Sequence, residues 1–156
     1  MDWLKTVLQN ILKSPRMTPS ELLYNMALSY IGTDASPKDL APDDNGCMET
    51  VDTIYKKTFG RYINGSTPML STRDGYAYLA SSSRFKRIYA PQTGCIVISP
   101  TGSPGTTGSG HTGIVGKYQI MSNDSRSGTW EANYSREGWP RIFARQGFPT
   151  NYFIPL

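Results

Sequence analysis

The pattern of the chain predicts an α+β fold, with N-terminal helices packed on an antiparallel β-sheet. Three observations carry this. In the first half, apolar residues recur at helical spacing. Beyond Pro91 the pattern changes to short runs rich in β-branched residues. Helical stretches come first and strands second, the order of an α+β domain. With 156 residues, no internal repeat and no linker-like stretch, the chain reads as one domain over residues 1–156, long enough to bury a core without disulfides or metal.

Each element has a local reason. In residues 1–14, Trp3, Leu4, Val7, Leu8, Ile11 and Leu12 form an apolar stripe broken by Asp2, Lys5, Gln9, Asn10 and Lys13, an amphipathic helix expected to pack on the domain. Thr18-Pro19-Ser20-Glu21 is a capping box with proline at the first helical position, and the helix it opens runs through Leu22, Leu23, Met26, Ala27, Tyr30 and Ile31 to Gly32. Thr33 to Gly46 is a loop. From Cys47, the positions Met48, Val51, Ile54 and Tyr55 mark a third helix closing near Phe59-Gly60, and a weaker fourth follows Ser71-Thr72. Strands are predicted at 95–98, 112–118, 128–134 and 152–154, with 122–127 as a turn. The run from Ser99 to Gly110 has no apolar side chain to anchor it and is expected to be a mobile loop.

Charge and cysteine count narrow the function. A net charge of +4 and a pI near 9.1 suit a polyanionic partner. The basic residues are scattered, however, and the densest cluster, Arg84-Phe85-Lys86-Arg87, reads as solvated surface, so nucleic acid is not the expected partner. An anionic cell envelope fits the charge as well. No segment approaches transmembrane length, and the N-terminus, with its acid at position 2 and interrupted apolar run, does not read as a signal peptide, so neither membrane insertion nor export is expected. Two cysteines and one histidine cannot build a usual structural zinc site, and both thiols are expected to stay reduced.

Those few residues nevertheless sit where chemistry could use them. Cys47 opens a helix, facing unpaired backbone N–H groups and the positive end of the helix dipole, which favour a thiolate. His111 lies in Gly110-His111-Thr112-Gly113-Ile114-Val115, where the flanking glycines remove bulk and leave the imidazole facing a cleft. In Trp130-Glu131-Ala132-Asn133-Tyr134, strand alternation puts Glu131 and Asn133 on one face and Trp130, Ala132 and Tyr134 on the other. A cysteine hydrolase needs a thiol at a helix start, a histidine to move its proton, and a carboxylate or amide that orients the histidine. Cys95 begins an apolar strand, where desolvation disfavours a thiolate, and reads as a packing residue.

A cysteine opening a helix, Gly-His-x-Gly-Ile-Val opening a strand, and Glu-x-Asn on the next strand, in that chain order, resemble the CHAP family of cysteine, histidine-dependent amidohydrolases/peptidases over about residues 20–156. The resemblance implies a papain-like fold and a phage endolysin-type peptidoglycan hydrolase. Cys47 would be nucleophile, His111 base and then acid, Glu131 the residue orienting His111, and Asn133 an auxiliary polar group. Two features depart from the family: Pro91-Gln92-Thr93-Gly94 replaces its Gly-Asp before the strand preceding the histidine, and Gly46 takes the place of its asparagine before the nucleophile. The resemblance implies an enzyme without an obligatory cofactor. Calcium, which some members bind through an acidic loop, would fall to Asp34, Asp39, Asp43 and Asp44 here, although helix capping by Asp43, Asp44 or Asn45 accounts for some of these residues. The expected partner is bacterial peptidoglycan, met by a monomer held in the host cytoplasm until a membrane lesion admits it to the wall. Two rivals stay open: a papain-like protease or deamidase acting on proteins, and a non-catalytic tail or wall-binding module that stacks glycan on Trp130, Tyr134, Trp139 and Tyr152.

Overall fold

A computed structural model describes residues 2–13, 16–35 and 46–156. The helices α1 (Asp2–Lys13), α2 (Pro19–Ser29), α3 (Cys47–Phe59) and α4 (Thr72–Ser81) come first. The strands β1 (Phe85–Ile88), β2 (Ile96–Ser99), β3 (His111–Val115), β4 (Gln119–Asn123) and β5 (Trp130–Ser135) follow, then α5 (Gly138–Arg145) and β6 (Asn151–Pro155). The strands form one antiparallel sheet in the order β1-β6-β2-β3-β4-β5. This is the α+β architecture that the sequence predicts.

Strand alternation divides the core between the two faces of the sheet. Ile96, Ile98, Ile114 and Met121 face α2 and α3, packing on Leu23, Met48, Val51 and Ile54. Cys95, Val97, Val115 and Ile120 face the other way, onto Trp139, Phe143 and Phe148 in and after α5. The Thr18 capping box is present, with the Thr18 hydroxyl accepting from Glu21 N–H at 3.2 Å and Glu21 accepting from Thr18 N–H at 3.0 Å.

Several expectations are corrected. Trp3, Leu4 and Leu8 are 74%, 58% and 54% exposed, so these residues of the apolar stripe of α1 are not packed on the domain. In Arg84-Phe85-Lys86-Arg87 the three basic residues are exposed, as the solvated-surface reading expects, but Phe85 is buried because residues 85–88 pair with β6 as an edge strand. Trp130, Trp139 and Tyr152 are core residues rather than an exposed aromatic row. Helix α5, which the sequence reading did not find, is short and carries Pro140 in its first turn, where a missing N–H costs nothing.

Candidate active site

Cys47 is the first residue of α3, and its sulfur lies against the backbone N–H groups of Thr112, Met48 and Cys47 itself. Thr112 follows His111, so the start of α3 and the start of β3 meet here. Both Cys47 and His111 line a cavity of about 700 Å³, with Leu70 and Thr72 on one wall and Asp124, Tyr134 and Phe143 on others.

The walls are held by specific bonds. Asp52, buried one turn beyond Cys47 on α3, accepts from the backbone N–H of Ile63 at 2.7 Å and of Met69 at 2.8 Å, which fixes the segment leading to Leu70. Burial holds its carboxyl above the usual value, while those two N–H groups and Lys56 pull the other way. The loop expected to be mobile is pinned at its ends: Thr72 Oγ1 donates to Thr101 Oγ1 and accepts from Thr101 N–H, both at 2.9 Å, and Gly110 N–H donates to Thr101 Oγ1 at 2.8 Å. Ser103 is buried within it, donating to the Pro100 carbonyl.

His111 is half-buried. Its ring stacks on Trp139, with centroids 5.2 Å apart and planes at 14°, and lies 5.9 Å from Phe143 and 5.7 Å from Tyr134. Nε2 meets Ser122 Oγ at 3.0 Å, and Ser122 Oγ donates to Asn133 Oδ1 at 2.7 Å. Burial pushes the imidazole down to about 4, against the pull of the Asp124 carboxylate. Burial also raises Cys47 to about 11, outweighing the three backbone N–H groups that favour the thiolate. The resting pair is therefore neutral thiol and neutral imidazole.

The structure brings Cys47, His111 and Asn133 to one cavity and leaves Glu131 off its lining, with the carboxylate accepting from Thr129 Oγ1 at 2.8 Å. A bulge explains the arrangement of this strand. Ile120 pairs with Tyr134 but Met121 with Ala132, so Asn133 is an extra residue in β5. Trp130 and Ala132 keep to the α3 face, whereas Tyr134 is carried round to the α5 face beside His111, contrary to simple alternation. Ser122, Asn123 and Asp124 were missed because the sequence pattern assigns 122–127 to a turn, whereas Ser122 and Asn123 are the last residues of β4. The period-2 pattern from Ile120 to Ser122 is the signal that places Ser122 on the same face as Ile120.

Cys95 is fully buried in the second core, and burial pushes it up to about 12; both cysteines are free thiols. Of the four acids named for calcium, Asp34 is exposed, and Asp39, Asp43 and Asp44 lie outside the described residues together with Asn45. Among the described residues, no group of three His, Cys, Asp or Glu side chains converges as a metal site would require, and no helix is long and apolar enough to cross a membrane.

Among solved structures, a chain of the type VI native effector–immunity complex Tae3–Tai3 from Ralstonia pickettii is similar in fold. The TM-score is 0.55 at 16% identity, over 90% of this chain and 100% of the other. No protein-family model and no curated protein matches the sequence, so the CHAP resemblance rests on motif order and spacing.

Proposed function

We propose that this chain is a peptidoglycan hydrolase cleaving an amide bond of the wall, either within the peptide stem or between stem and glycan, with Cys47 as nucleophile and His111 as base and then acid. The observation that carries this reading is the meeting of Cys47, at a helix N-terminus, with the strand start that bears His111, both on one cavity. Because the resting pair is neutral, the thiol proton passes to His111 as sulfur approaches the substrate carbonyl carbon. The carbonyl π pair moves to oxygen, where the N–H groups at the start of α3 can stabilise it. Collapse expels the amine, which takes the proton from His111. Water, deprotonated by the same imidazole, then releases the acyl group.

The substrate class comes from the CHAP-type motif order, and the net positive charge favours an anionic envelope. An endolysin working as a monomer, without a cofactor, from the host cytoplasm is the setting we infer. A second setting, an effector delivered between bacteria, is favoured by the likeness of fold to a chain of an effector–immunity complex, and it would use the same chemistry.

The test is the fall in turbidity of purified sacculi with wild type, Cys47→Ala and Cys95→Ala at matched folded concentration. Clearing by wild type and Cys95→Ala but not Cys47→Ala is expected, with new amines or carboxylates in the released muropeptides identifying the bond. Equal clearing by Cys47→Ala would remove Cys47 as the nucleophile, and no clearing by wild type on any wall type would sink the proposal in favour of a non-catalytic binding module.

A further inference from the structure

Among the described residues, the hydrogen-bond partner of the His111 ring is the Ser122 hydroxyl, at Nε2. A hydroxyl has one proton to give and two lone pairs to receive with. Ser122 gives its proton to Asn133 Oδ1, an amide oxygen that can only accept. It has none left for the ring, so in this bond Ser122 accepts and Nε2 carries the hydrogen. A neutral imidazole protonated on Nε2 has its lone pair on Nδ1. The stack on Trp139 sets the plane of the ring, and the bond to Ser122 sets which edge carries Nε2; the Trp139 indole N–H is itself taken up by Ser99 Oγ at 3.1 Å. Asn133 reaches Ser122 as the extra residue of the β5 bulge.

We infer that Ser122, oriented by Asn133, is the positioning residue that fixes His111 as its Nε2–H tautomer and leaves Nδ1 to take the Cys47 proton. For its catalytic meaning the inference rests on the thiol-hydrolase reading; for its geometry it does not. When the thiol proton moves to Nδ1, sulfur keeps the bonding pair as thiolate and the ring becomes an imidazolium with both nitrogens protonated. The Nε2–H bond to Ser122 is kept and becomes charge-assisted, which stabilises that state. Ser122 transfers no proton. The orienting role assigned by resemblance to Glu131 passes to a hydroxyl–amide pair.

His111 is the single histidine of the chain, so ring-nitrogen NMR of protein labelled with ¹⁵N-histidine reports this residue alone. At pH 7 the wild type should show a protonated Nε2 and an unprotonated Nδ1. Ser122→Ala should redistribute the proton toward Nδ1 and lower kcat by about 10²–10⁴-fold with KM kept, the range expected when the base is held in the wrong tautomer. Asn133→Leu, at an exposed position, frees the Ser122 proton and should shift the tautomer the same way without threatening the fold. Ser122→Thr should restore the wild-type pattern, and Glu131→Ala should leave it in place. A wild-type ring protonated on Nδ1, or one unmoved by both Ser122→Ala and Asn133→Leu, overturns the inference. If the tautomer behaves as stated but sacculi stay intact, the hydrolase reading falls and the assignment of Ser122 is upheld.

Discussion

Cys47 meets three backbone N–H groups at the positive end of α3, and its thiol is nevertheless raised to about 11. Removal of the sulfur from water outweighs the dipole, so in the proposed mechanism reactivity at neutral pH depends on His111 being uncharged and ready to accept. The groups around His111 are the Ser122 hydroxyl, the Asp124 carboxylate and the rings of Tyr134, Trp139 and Phe143, with Cys47 on the same cavity. With the imidazole pushed down to about 4, the acid limb of kcat/KM should sit near pH 4, well below an ordinary histidine limb. Asp124 favours the charged ring, so Asp124→Asn should move that limb to lower pH. Rates on a soluble muropeptide from about pH 3.5 to about pH 8 check both statements; a wild-type limb near the ordinary histidine value would contradict them.

At the level of elements, Gly110 and Gly113 were expected to open space around an imidazole, and the structure gives them a different task. A Cβ on Gly110 would overlap the Ser99 carbonyl oxygen, and one on Gly113 the Met121 carbonyl oxygen. These glycines allow neighbouring backbone to approach β3 closely. Gly113→Ala should therefore cost about 2–4 kcal/mol, read as a lower urea midpoint with unchanged m-value.

Much of this layer was legible beforehand. The capping box set the start of α2, the Met48, Val51, Ile54 spacing set α3, and Cys95-Ile96-Val97-Ile98 announced β2. What escaped was set by partners distant in sequence. β1 is a strand because β6 lies beside it, and α5 is too short for its Trp139, Ile142, Phe143 spacing to stand out. The bulge at Asn133 breaks the two-residue period of β5, so neither the position of Tyr134 nor the bond from Ser122 to Asn133 could be read from alternation. The positions of Cys47 at a helix start and His111 at a strand start were legible because such starts are local signals, whereas the partner of the His111 ring is decided by register.

Across the whole molecule, the depressed value of His111 becomes a dependence of stability on pH. Folded His111 titrates near 4 and an unperturbed imidazole at 6.5, so between these values the unfolded chain binds more protons. The contribution is fully present above about pH 6.5 and is lost as pH falls toward about 4, amounting to about 3 kcal/mol at 1.36 kcal/mol per unit. Other carboxylates titrate over the same range, so the comparison is with His111→Gln. Wild type should lose about 3 kcal/mol more than this variant between pH 7 and pH 4 in urea unfolding, and equal losses would contradict the argument.

Asp52 has a mechanical consequence. One carboxylate on α3 grips the chain at both Ile63 and Met69, so the helix that presents Cys47 and the wall that ends in Leu70 form a single jaw. On that side the width of the cleft is set by α3 itself, and a shift of the helix that carries Cys47 would take the Leu70 wall with it.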